Sequence, residues 1–342
     1  MLLAGVVILG SFRLHSNADV CALEVNTNLR RAAICLLIVV GLISPAWPWG
    51  NEGHSAINRV AAEKLPDSVP AFLRNAGAQL AYLAPEPDRW RDASELALKR
   101  SQEPDHYINL EVVEGMEFPP DRYSFYRALE AKREQTPGHP DDLLPENVGL
   151  QPYITIEVFE RLIVAFREYR AALRDHRNPD FAEANAIFYA GWLGHYVGDG
   201  ANPLHTSIHL DGWIGANPNG FTTSRGIHRK METTFVNANL KRLEFANLVP
   251  SKPRLLMDPF HDYLKFLNDS HQYVDEVYRL EKEGALEGKG NDTSIEFIRQ
   301  RLAAGAGMLR DMWYTAWVMS GVPPPTSSAA STPAAEPASD KH

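Results

Sequence analysis

Two segments of this chain repeat one arrangement, a histidine followed four residues later by a carboxylate inside a helix-periodic run. His195 and Asp199 lie in AIFYAGWLGHYVGD, and His228 and Glu232 in RGIHRKMETTFVNANLKRL. On a helix, residues four apart stand one turn apart on the same face. A third imidazole, His205, follows just past the first of these helices. A fold in which the two helices meet surrounds a small volume with nitrogen and oxygen donors, the set on which a hydrolase holds zinc. One such pair alone is most often a surface feature. Two pairs with a histidine between them, in a segment rich in glycine and aromatics, point to a metal site.

Most of the remaining chain has the same period. Apolar residues recur at helical spacing over 54–64, 71–83, 154–177, 261–283 and 294–321. A short helix over 92–100 has Asp88 and His106 on its connections, and 111–150 reads as a long excursion with one helix at 124–134. No run alternates with period two for long enough to suggest a sheet. The expected fold class is therefore all-α, a packed helical bundle with irregular connections. Residues 207–226, with four glycines, form a loop between the two ligand pairs, and long loops inside a compact domain are usually functional. His209, Asp211 and Trp213 in that loop are candidates to line a cleft, whereas His139, His176, His261 and His271 read as surface or capping histidines. There is no internal repeat, phosphate-binding glycine loop or nucleophile elbow.

The ends differ in character. Arg30 and Arg31, the apolar run 32–43 and the small residues 44–46 have the form of a secretory signal, so residues 1–46 read as an N-terminal extension and signal. The apolar run is short for the competing reading, an uncleaved membrane anchor. Residues 1–28 lie far upstream of the signal, which suggests a later start of translation. One domain is expected over 47–321, followed by a low-complexity, disordered tail over 322–342. Both cysteines, Cys21 and Cys35, fall in the extension, so a mature chain has neither disulfides nor thiolate ligands. The formal net charge is −9. A protein this acidic does not grip a polyanion through a basic face, although bound divalent ions would reverse the local sign.

The motifs WGNEGH at 49–54, DRWR at 88–91, DHYIN at 105–109, GHYVGDGANPLH at 194–205 and GIHRKME at 226–232 resemble the superfamily of trinuclear zinc phosphodiesterases. Its branches are the single-strand-specific nucleases of the S-one and P-one type and the bacterial zinc-dependent phospholipases C. The resemblance covers roughly residues 49–320 in order, and it implies three zinc ions. Asp88, His106, His195 and Asp199 would hold the first, and His205, His228 and Glu232 the second. The third would take His54, a bridging oxygen of Asp199, and the amino group and carbonyl of an N-terminal tryptophan. Cleavage after Ala46 makes that residue Trp47, whereas the spacing to His54 in such nucleases fits Trp49.

The resemblance also implies a mechanism, in which a hydroxide bridged by zinc attacks phosphorus while another zinc stabilises the leaving alkoxide. Arg91 would stabilise charge on the phosphate, and Tyr107 would stack a base. A solvated salt bridge for Arg91 and a core position for Tyr107 are the competing structural readings. The short tryptophan-to-His54 spacing, DRWR, HYIN and the long His205–His228 interval favour the nuclease branch. GIHRKMETTFV and the final glutamate lean toward phospholipase C. A secreted or periplasmic hydrolase of single-stranded nucleic acid, releasing 5′-nucleotides, is the favoured expectation, a phosphatidylcholine-type lipase the alternative. A secreted helical binding protein with structural zinc is a third reading, disfavoured because structural sites are closed and mostly built on cysteine.

Overall fold

The computed structural model describes residues 50–322 apart from Ala93 and His139. The signal, both tryptophans proposed at the mature N-terminus and the chain beyond Val322 lie outside the described residues. Of the described residues 67% are helical and none forms a strand, as an all-α reading expects.

Helix α1 (Gly50–Glu63) buries His54, Ile57, Asn58 and Ala61, positions three or four apart that make one stripe. The chain then runs as short pieces, α2 (Ala71–Arg74), α3 (Gly77–Leu83), α4 (Glu86–Arg89) and α5 (Leu96–Gln102), with Pro70 ahead of α2 and Pro85 ahead of α4. The single helix expected over 71–83 is thus two, broken where the Asn75 N–H closes back on Ala71 O at 2.9 Å. Helix α6 (Arg122–Gln135) starts where the Asp121 carboxylate accepts from the N–H groups of Tyr123 and Ser124, both at 3.0 Å. After the single turn α7 (Pro145–Val148) come two long helices, α8 (Gln151–Arg174) and α9 (Asp180–Ala201).

Short helices α10 (Ile227–Arg229) and α11 (Val236–Asn239) flank a π-helical stretch, Lys230–Phe235. The run expected as one helix over 261–283 breaks at Gln272–Tyr273 into α12 (Pro259–His271) and α13 (Val274–Lys282). No proline or glycine marks that break. Its effect is to aim Tyr278 of α13 at the 207–226 loop, where its hydroxyl donates to His209 O at 2.6 Å. The last helix, α14 (Asp292–Ser320), opens with a reciprocal capping box between Asn291 and Ser294.

The core sits where α8 and α14 pack on α9 and α1 enters beside them. Helix α9 is buried almost all round from Ala190 to Ala201, which fits its nearly unbroken apolar sequence. Trp313 of α14 is fully buried against it and donates its indole N–H to Ala190 O at 3.2 Å. Two glycines on α9 set the approach of α1. A Cβ at Gly194 would lie 1.9 Å from Asn58 Oδ1, and one at Gly198 2.7 Å from His54 Nδ1. With those side chains absent, buried Asn58 donates to Leu80 O (2.9 Å) and Gly191 O (3.1 Å), tying α1 to α3 and α9.

Gly194→Ala therefore has to push Asn58 off both acceptors in a close-packed interior. We expect a stability loss of about 2–4 kcal/mol, measured by chemical denaturation, with Gly77→Ala, where an added Cβ meets open space at ordinary φ, as the control. A loss no larger than the control's would show that the interface accommodates the methyl group.

Candidate metal centre

Asp199 stands in the last turn of α9, fully buried, and imidazoles from four segments converge on it. Its Oδ2 lies 3.0 Å from His106 Nδ1 and 3.2 Å from His195 Nε2. Its Oδ1 lies 3.3 Å from His54 Nε2 and 3.8 Å from His205 Nδ1. Burial opposes ionisation of this carboxyl. The nearby His205 and His195 and the hydrogen bonds from His106 and His195 outweigh it and hold Asp199 well below the usual carboxylate range. Asp88, in α4, is 3.9 Å from His106 Nδ1 and 4.0 Å from His195 Nε2, and burial pushes its carboxyl well up. Arg91 donates to Asp88 Oδ1 at 3.2 Å.

A second group lies beside the first. His228 Nε2 is 2.9 Å from His205 Nε2 and 2.8 Å from Glu232 Oε2, and His205 Nε2 is 3.6 Å from the same oxygen. The ligand-type atoms fall into three buried sets, His54–His195–Asp199, Asp88–His106–His195 and His205–His228–Glu232, each within 4.8 Å. The structure thus unites all eight side chains expected to hold metal. Trp47 and Trp49, the proposed remainder of the third site, lie outside the described residues.

The donor set fits zinc. His195 Nδ1 donates to Ala84 O at 2.9 Å and His205 Nδ1 donates to His106 O at 2.7 Å, so each presents its Nε2 lone pair inward. Two nitrogens on one tetrahedral zinc would stand roughly 3.3 Å apart, close to the His195–His106 (3.0 Å) and His205–His228 (2.9 Å) separations. Both His54 nitrogens, Asp88 Oδ2 and Asp199 Oδ1 make no hydrogen bond although buried. Converging lone pairs that lack donors are what a cation satisfies.

Three features were not legible as parts of the site. Asn202, fully buried at the end of α9, accepts from Leu204 N at 3.1 Å and donates to Glu232 Oε2 at 3.0 Å. Because the Leu204 amide can only donate, the atom facing it is the amide oxygen, and the NH2 group must face Glu232. The Asn-Pro pair after α9 was the available signal. Asp211 accepts from Gly226 N (2.6 Å) and His228 N (3.2 Å), pinning the far end of the loop to the start of α10. Glu232 lies in a π turn rather than the expected α-helix, a distortion common at functional sites. Within the loop, His209 stacks on Trp213 with centroids 3.8 Å apart, and His209, Asp211 and Trp213 are not among the residues that line the cleft described below.

Tyr107, Arg91, His106, His205 and His228 line one open cleft of about 720 Å³, together with Arg100, Glu103, Pro104, Glu146, Asn147 and Leu210. Tyr107 is half-buried and donates its hydroxyl to Glu146 O at 2.6 Å, which fixes the ring as a wall.

Burial drives His228 down from the ordinary imidazole value to about 4 in the metal-free protein. A histidine that binds fewer protons folded than unfolded gives stability that is complete above about 6.5 and is lost as pH falls toward 4. With zinc removed, wild-type protein should lose on the order of 3 kcal/mol relative to His228→Asn across that window. A pH-independent difference in unfolding free energy would contradict the assigned burial.

The family model for S1/P1 Nuclease matches residues 49–311, a span that contains every one of these side chains. A search of curated proteins found no match. The extent of that match, over a helical scaffold and three converging histidine–carboxylate groups, places the chain in the S1/P1 nuclease family of the phospholipase C/P1 nuclease superfamily, as a metal-dependent, nuclease-type hydrolase of phosphodiester bonds.

Proposed function

We propose that the protein is a secreted or periplasmic zinc enzyme that cleaves single-stranded nucleic acid to 5′-nucleotides. One observation carries this reading: the histidine–carboxylate groups open onto a cleft that also holds a guanidinium and a fixed aromatic ring. Asp88, His106, His195 and Asp199 would hold one ion and His205, His228 and Glu232 a second. His54 and Asp199 would hold a third with a processed N-terminal tryptophan, Trp47 or Trp49. Bound there, zinc supplies Lewis acidity toward phosphate oxygens and brings the pKa of water near neutrality.

The chain's own residues do the rest. Asp199 presents one oxygen to each side of the cluster and so ties its halves together. Asp88, besides serving the first group, orients Arg91, whose other N–H groups are left to neutralise phosphate. Tyr107 offers a ring face that any nucleobase can stack on, which suits a substrate read without sequence preference. A tryptophan amine can serve as a ligand only after the signal is removed, and this links activity to export. The open cleft disfavours a purely structural zinc.

One observation favours the alternative substrate, a phosphatidylcholine-type lipid. Glu103 and Glu146 flank Tyr107 on the cleft wall, and carboxylates beside an aromatic face suit a quaternary ammonium group.

Zinc-loaded protein should release 5′-mononucleotides from single-stranded DNA or RNA and leave phosphatidylcholine intact. Chelation or His195→Ala should abolish the release and lower the bound zinc. Arg91→Ala should retain zinc and lose about 10²–10³ in kcat. Diacylglycerol release in place of nucleotides would assign the chain to the lipase chemistry, and turnover of neither substrate would overturn both.

A further inference from the structure

Arg100 projects from α5 into the same cleft as Arg91 but is bound differently. Arg91 is held by Asp88 beside the histidines. Arg100 is exposed, and the one carboxylate a turn away, Glu103, is taken by Lys99 at 3.4 Å. No hydrogen bond or ion pair engages the Arg100 side chain among the described residues. In a chain of net charge −9, this cleft thus holds a guanidinium with no acidic partner among the described residues.

Position adds to this. Arg100 precedes His106 by six positions, through the end of α5 and the 3₁₀ turn Glu103–His106. Helical rise over that stretch is about 10 Å, farther than one phosphate group reaches. Pro104 and Tyr107 line the wall beside these residues, and the Leu150 N–H donates to Pro104 O at 2.6 Å, so the wall is braced by the start of α8. A second phosphate of the same strand would meet Arg100 while its neighbour occupied the histidine end. Guanidinium suits this role because it stays charged and can contact two phosphate oxygens at once.

We propose that Arg100 is a second phosphate-binding position of the cleft, selecting a polymeric phosphodiester over a substrate with a single phosphate. This rests on the nuclease reading and deepens it, because phosphatidylcholine has no second phosphate to offer. Arg100 is a specificity residue acting on binding, so its loss should appear in KM and leave kcat nearly unchanged.

The test compares wild type, Arg100→Ala and Arg100→Lys on a single-stranded oligonucleotide and on a dinucleoside monophosphate, which has one phosphodiester and no further phosphate. On the oligonucleotide, Arg100→Ala should lower kcat/KM about tenfold through KM. The slope of log kcat/KM against log salt should fall by about 0.7, the loss of one contact on a single strand. The dinucleotide should be cleaved as by wild type, and Arg100→Lys should recover most of the loss. Equal losses on both substrates, or none on the oligonucleotide, would overturn the proposal and leave the nuclease reading standing. Wild-type protein that cleaves neither would end both.

Discussion

A buried carboxylate is costly to ionise, and Asp199 is both fully buried and held ionised. What makes this possible is the ring of imidazoles drawn from α1, the 103–106 turn, α9 itself and the 203–206 turn. Each of those segments must reach the same point, and much of the architecture follows from that demand. The glycines of α9 remove the side chains that would hold α1 away, and His54 then stacks on His195 with ring centroids 4.2 Å apart. Asn58, one turn along α1, fixes the same approach through two backbone acceptors. The helices are packed closely because the centre requires it, and Asp199 is shielded from solvent because they are.

The second group depends on a different device. His228 and Glu232 come from short helical pieces anchored by buried Ile227, Met231 and Phe235, and their polar groups are tethered by neighbouring elements as well. Asn202 reaches Glu232 from the end of α9, Asp211 caps the chain entering α10, and Lys230 bridges Glu281 and Glu287 on the opposite side. The 207–226 loop is braced in turn by Tyr278, which accepts from Gly212 N at 2.9 Å. In metal-binding proteins, contacts of this kind orient ligands as much as the ligands' own backbone does. The loop that looked functional from its glycines and length is better described as a strap: its His209 and Trp213 pack on each other and on α13, while its ends hold the metal-type residues.

How much of this was legible differs from residue to residue. His195 and Asp199 sit on a long apolar helix, where a spacing of four dictates the geometry directly. His205 was found by adjacency, and His228 with Glu232 by spacing, although the π turn that carries Glu232 leaves no mark in the helical period. His54, Asp88 and His106 come from three separate segments, and no local pattern joins them; a resemblance of ordered motifs was needed. Asn202 and Asp211 were missed as partners because hydrogen bonds over 30 and 17 residues have no periodicity to read. The same limit applies to the breaks at Asn75 and Gln272, which tertiary packing imposes on stretches whose apolar period continues through them.

By itself the sequence determined the all-α class, the long helices and the chemical identity of the ligands, because periodicity and side-chain type are local properties of the chain. Its described stretch also contains no cysteine, so no thiolate stands among the donors that converge there. The tertiary structure alone decided that eight side chains from distant segments share one buried volume, that the volume opens on the cleft holding Arg91, Arg100 and Tyr107, and that Arg100 has no acidic partner among the described residues. Those facts depend on distances between segments far apart in the chain, and such distances are set by how whole helices pack against one another.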